Sequence, residues 1–224
     1  MRLTASVCVT VGLFISFLLF MPANAAQDNP AVYTLNAQLL AGARAGDVAT
    51  VRRVLEQGAS INSRNRGGST ALFLFTEQGN VEMVRELLQR GSDVDLPNLE
   101  KVTPLMVAAY SGYSDIARLL IDHGARLDSE DQVFKTAMVY AAGSGQNDVV
   151  GMLLEAGVDV NRRYRHQLTA MMWAAGYGRA DTVRLLLERG ADAGLRDDRG
   201  KSALDIARDG GHLQVVDVLN SLAD

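Results

Sequence analysis

Metal, redox or acid–base chemistry in this 224-residue chain would fall to three histidines, eight methionines, one cysteine and 26 carboxylates. No two of His123, His166 and His212 are spaced to share a helix face, whereas a zinc site needs three or four convergent ligands. The single thiol, Cys8, lies in an apolar run at the N-terminus. No Ser nucleophile elbow, H-E-x-x-H pair or phosphate-cradling glycine loop occurs. The methionines raise one further chemistry, since exported methionine-rich proteins can hold Cu(I) through soft thioethers. The elements that carry these residues decide between that role and packing.

Those elements repeat with a fixed stride. Thr70, Thr103, Thr136, Thr169 and Ser202 are 33 residues apart, as are Leu39, Leu72, Leu105, Met138, Met171 and Leu204, and Gly46, Gly79, Gly112, Gly145, Gly178 and Gly211. A constant period over hydroxyl, apolar and glycine positions marks a solenoid of one supersecondary unit. The hydroxyl residue reads as the N-cap of a short first helix, with Pro104 just inside one of them. The pairs Ala108–Ala109, Ala141–Ala142 and Ala174–Ala175 let these helices approach closely. After the glycine, Asp47, Asn80, Ser114 and Asn147 are expected to cap a second helix. Its apolar stripe is spaced i, i+3, i+4, as in Val51, Val54, Leu55 and Val183, Leu186, Leu187. Gly58, Gly91, Gly124, Gly157 and Gly190 then end it, and short extended connections lead to the next unit. In this frame Met138 and Met171 take a core position and Met83 and Met152 lie in or beside the second-helix stripe. Packing therefore explains them better than copper does. Tyr140 and Trp173, beside the small pairs, read as packing residues.

Segments such as Lys101–Asp131 and Leu168–Asp198 resemble ankyrin repeats nearly residue for residue. The resemblance implies an all-α ankyrin repeat solenoid of stacked helix-turn-helix units with hairpin-like connections. Six units are expected, at 33–65, 66–98, 99–131, 132–164, 165–197 and 198–224. The first and last resemble capping repeats, the last with a truncated second helix; polar ends stop the stacking. Two departures stand out. Where the family usually has His in the first helix, this chain has Phe73, Met106, Val139, Met172 and Asp205, so packing should replace its hydrogen bonds. Where the connection usually carries glycine, Gly68 and Gly200 keep it but Lys101, Phe134 and Gln167 do not, so the three central tips should turn differently.

Residues 1–25 stand apart from the repeats. Arg2, the apolar run Val7–Phe20 and Ala23-Asn24-Ala25 form a signal-peptide pattern with an A-x-A site. Cleavage before Ala26 is expected, leaving a short extension at 26–32, a chain without cysteine and a periplasmic or secreted protein that meets a membrane only during export. The Arg bias, 19 against 3 Lys, accords with a high-GC Gram-negative source. A net charge of −4 is no footprint for nucleic acid. Asp128, Glu130 and Asp131 on one connection should pair with Arg162, Arg163, Arg165 and His166 on the next as surface ion pairs.

By resemblance, a partner docks on the connection tips and the exposed face of the first helices. The central tips are apolar where loop tips are normally polar, which marks an interaction patch. Leu99, Val102, Tyr110, Val133, Phe134, Arg165, His166, Leu168 and Tyr177 are the candidate partner-binding residues, with Lys135 on the same surface; Phe134 and Leu168 could instead fold over neighbouring tips. The expected function is a monomeric, non-enzymatic protein–protein interaction module that stabilises, inhibits or protects a periplasmic enzyme or toxin, with no cofactor, metal site or catalytic residue. The alternative is a small metal-carrying or enzymatic protein that uses the same groove.

Overall fold

The computed structural model describes residues 30–221, which contain twelve α-helices, one 3₁₀ turn and no strand. The expected leader and its cleavage site lie outside these residues. Among the described residues no helix is long and apolar enough to cross a membrane. The helices alternate between two layers. First helices are α1 (Pro30–Ala45), α3 (Ala71–Glu77), α5 (Pro104–Ser111), α7 (Ala137–Ser144), α9 (Ala170–Gly176) and α11 (Ala203–Asp209). Second helices are α2 (Val48–Glu56), α4 (Val81–Gln89), α6 (Ser114–Asp122), α8 (Asn147–Glu155), α10 (Ala180–Glu188) and α12 (Leu213–Asn220). Each helix packs on its partner within the unit, and the first helices and, from α4 onward, the second helices pack on their counterparts in the next, so one core runs the length of the stack. α1 begins inside the segment expected to be an extension, and α12 has eight residues against nine in the other second helices, so the final unit is barely truncated.

The periodic residues do what their chemistry dictates. Each hydroxyl of the 33-residue series caps a first helix, accepting a bond from the amide three residues on at 3.2–3.4 Å. The alanine pairs are wholly buried, as are Leu39 and Leu72, with Leu105, Met138 and Met171 at 1 % exposure. Burying each such large side chain stabilises the stack by about 1.5–3 kcal/mol. Phe73, Met106, Val139 and Met172 are also buried, so packing does replace the usual histidine there. Asp205 is the exception: its carboxylate accepts from the backbone N–H and the hydroxyl of Ser202, closing a capping box.

The second helices correct one expectation. Asp47 and Asn80 cap α2 and α4, but Ser114 and Asn147 are already the first helical residues of α6 and α8. The true cap positions follow the strict period: Tyr113, Gln146, Arg179 and His212, none of which makes a side-chain cap bond. Three of these side chains reach back one unit instead. Gln146 Nε2 meets Tyr110 O, Arg179 Nε donates to Gly143 O, and His212 Nε2 meets Gly176 O, at 3.0–3.3 Å. Carbonyls at a first-helix C-terminus lack helical partners, so each reach-back satisfies one and ties adjacent units together.

Candidate functional site

The connection tips are built on a position that recurs at the same stride: Asn65, Asn98, Asp131, Tyr164 and Asp197. At four of the five, the side-chain oxygen accepts from the amides two and four residues on, as Asp131 does from Val133 and Lys135 at 2.9 and 2.8 Å. Three residues beyond the anchor the backbone turns left-handed. Gly68 and Gly200 do so freely, while Lys101, Phe134 and Gln167 hold the same conformation at φ 61, 64 and 59°. An L-residue there costs roughly 1–2 kcal/mol. The expected different turns therefore occur at only one central tip. Tips three and four keep the glycine-type turn without glycine, and only the fifth, with His166 also left-handed, becomes a 3₁₀ turn.

That fifth tip lacks a polar anchor. Tyr164 is buried, its hydroxyl has no hydrogen-bond partner, and burial pushes its pKa up to about 12. A backbone bond joins the second tip to the third, the third to the fourth, and the fifth to the sixth: Leu99 N–Gly67 O, Gln132 N–Glu100 O and Asp198 N–His166 O. Among the described residues no such bond joins the fourth tip to the fifth. There the Arg165 guanidinium lies 4.5 Å from the centre of the Phe134 ring.

Beside this break the exposed faces of α5, α7 and α9 carry a run of aromatic rings. Tyr110 meets Tyr140 edge-to-face at 5.9 Å, and Trp173 stacks on Tyr177 at 6.1 Å. Between the pairs, Lys135 Nζ sits 5.4 Å from the Tyr140 ring and 5.2 Å from Trp173. Gly143 leaves room for Tyr177, since a Cβ there would stand 3.3 Å from its ring. The rings border two adjoining hollows of about 320 and 380 Å³ that share Tyr110 and Tyr140. Tyr140 donates its hydroxyl to Asp131 at 2.5 Å, and burial together with that bond raises its pKa far above the ordinary tyrosine range. The nearly buried Asp131 thus holds both the tip and the groove wall.

The expected binding residues divide by exposure. Leu99, Tyr110, Val133, Phe134 and Tyr177 are 47–64 % exposed, an unusual concentration of large apolar side chains in contact with water. Val102 and Leu168 are half-buried against the core. Arg165 lies over Phe134 as described. His166 Nδ1 meets Asp198 at 2.9 Å, on the following connection. The expected pairing of Asp128, Glu130 and Asp131 with the arginines of the next connection does not form, because Asp131 is spent on its tip and Tyr140 while Arg162 lies over the Tyr164 ring. Tyr140 and Trp173, read from sequence as packing residues, are half-buried walls of the groove, and the Trp173 indole N–H has no partner. Their shared phase, one period apart on α7 and α9, was the available signal.

The three histidines lie apart: His123 Nδ1 meets Leu119 O at the end of α6, and the other two bind across units. Among the described residues no cluster of His, Cys, Asp and Glu could hold a metal ion. A family model described as ankyrin repeats in three copies matches residues 39–131 and 102–164, and one described as ankyrin repeats in many copies matches 153–207. No curated protein matches the chain.

Proposed function

The chain belongs to the ankyrin repeat family, and from that premise we propose that it is a non-enzymatic protein-binding module that docks a partner across the aromatic groove of α5, α7 and α9 and the central tips. The observation that carries this reading is the exposed apolar surface of Leu99, Tyr110, Val133, Phe134 and Tyr177, continuous with the half-exposed Tyr140 and Trp173. Aromatic rings held on rigid helices lose little freedom on binding and dominate the energetics of protein interfaces. The reading includes export: the signal-peptide pattern at the N-terminus supports a partner in the periplasm or outside the cell, which docking would stabilise, inhibit or protect.

One experiment tests location and surface together. The full chain, expressed with its own N-terminus, is recovered from the periplasmic fraction, its N-terminus is sequenced, and co-purifying protein is quantified. The expected outcome is a chain starting at Ala26 with a stoichiometric partner that Tyr110→Ala with Tyr177→Ala removes. These side chains are 61 and 51 % exposed, so the double variant should keep its stability within about 1 kcal/mol. Undiminished partner binding by a folded double variant would show that docking occurs elsewhere, and retention of Met1 in the membrane fraction would overturn export.

A further inference from the structure

The groove is charged as well as aromatic, and its charge is one-sided. Lys135 and Arg179 line the half formed by the fourth and fifth units, and Arg165 stands on the adjoining tips over Phe134. None of the three forms an ion pair with a carboxylate among the described residues: Lys135 rests on the rings of Tyr140 and Trp173, Arg165 on Phe134, and Arg179 donates to the Gly143 carbonyl. The neighbouring Asp131 forms no ion pair with Lys135; its oxygens accept two tip amides and the Tyr140 hydroxyl. The other half of the groove is lined by Glu77, and the exposed Glu100 stands on the third tip. In a chain of net charge −4, cations without an ion-pair partner thus stand beside the aromatic rings that face water.

We infer that the segment received by this groove is an acidic, apolar stretch of a partner protein. Its carboxylates meet Lys135, Arg165 and Arg179 while a hydrophobic side chain lies between Tyr110 and Tyr177. Charge complementarity gives the argument its direction. A cation resting on a ring face keeps its N–H donors available, and a carboxylate can bind them with charge-assisted hydrogen bonds without first breaking an ion pair. Glu77 and Glu100 repel the same carboxylates, so the acidic end of the segment points towards the fifth unit. Complementary potentials of this kind fix register and orientation. The inference rests on the groove-docking reading above.

The test is a selection of displayed random linear peptides against the full chain, followed by affinity measurements with the most enriched peptide. Lys135→Met keeps an aliphatic stem on the rings without the charge. Arg179→Gln keeps the reach-back bond, since Gln146 makes it at the equivalent position one unit earlier. The expected peptides join Asp or Glu to Phe, Leu or Trp. Their affinity falls about ten-fold in Lys135→Met with Arg179→Gln and declines with added salt. Neutral or basic peptides that are still lost in Tyr110→Ala with Tyr177→Ala would overturn the acidic partner and leave groove docking standing. Failure to recover any peptide sensitive to either double variant would count against both. Displacement of the acidic peptide by oligothymidylate at equal charge would show a general anion surface and overturn the inference.

Discussion

The tips at Asp131 and Tyr164 occupy the same place in successive units and are built on opposite principles. Asp131 organises its loop with a carboxylate that accepts two amides and still reaches Tyr140. Tyr164 buries a ring and offers its loop no side-chain acceptor, so the turn tightens and two successive residues become left-handed. Among the described residues the backbone bond that joins the other neighbouring tips does not form at this boundary, and the stacking of Arg165 on Phe134 takes its place. In a repeat protein the period states what stacking requires. Breaks in the period release a position for another use, and such local violations are expected at functional sites. Here the break lies beside the exposed rings, the unpaired cations and the non-glycine left-handed turns.

The largest effect that can break this contrast is expected at Asp131. In Asp131→Ala two tip amides and the Tyr140 hydroxyl lose their acceptor at a site that is 5 % exposed. Bonds to a charged acceptor contribute about 1.5–3 kcal/mol each and partly compensate on removal, so the variant should lose roughly 2–4 kcal/mol in urea unfolding. A loss under about 1 kcal/mol would mean that the anchored and unanchored tips are equally self-supporting.

A smaller effect separates backbone strain from crowding at the outer tips. Gly68 and Gly200 have nearly the same φ, 79 and 76°, but a Cβ at Gly68 would lie 2.8 Å from the Leu99 amide nitrogen while Gly200 faces open space. Gly200→Ala should therefore cost only the left-handed penalty of about 1–2 kcal/mol, and Gly68→Ala about 1 kcal/mol more, because it pushes on the backbone bond joining two tips. Equal melting temperatures for the two variants would show that the tip-to-tip bond yields freely.

The stack was legible because helix caps and apolar stripes are local chemistry repeated at a constant stride: Thr103 or Leu105 means the same thing in every unit. The anchor series is equally present in the sequence, as Asn65, Asn98, Asp131 and Asp197, but it lies in the connections, outside the helical periodicity. The second-helix caps misled for a physical reason. Ser114 and Asn147 are good cap residues, but the strict period assigns the cap to Tyr113 and Gln146, and Gln146 serves the preceding unit instead. The groove was half legible. Exposure of Tyr110 and Tyr177 follows from their phase, whereas Lys135 between Tyr140 and Trp173 and Arg165 on Phe134 depend on the offset between neighbouring units, which no single repeat encodes.

The smallest effect at neutral pH is expected at Tyr164, and it carries its own pH signature. The hydroxyl is buried without a partner, so Tyr164→Phe removes a desolvated polar group and should leave stability unchanged or raise it by up to about 1 kcal/mol. The alkaline limb is where the variants part. Burial raises the folded-state pKa to about 12, against about 10 in an unfolded chain. Below about pH 10 both states keep the proton and the wild type has its full stability. Between about pH 10 and 12 the unfolded chain releases the proton while the folded chain holds it, so wild-type stability falls as pH rises. Phenylalanine has nothing to release, so the variant should gain about 1 kcal/mol over the wild type by roughly pH 11. The contribution of Tyr140 is common to both chains and cancels in the difference. Parallel stability–pH curves would mean that the Tyr164 hydroxyl reaches water or a hydrogen-bond partner in solution, and the contrast with Asp131 would then rest on the anchor bonds alone.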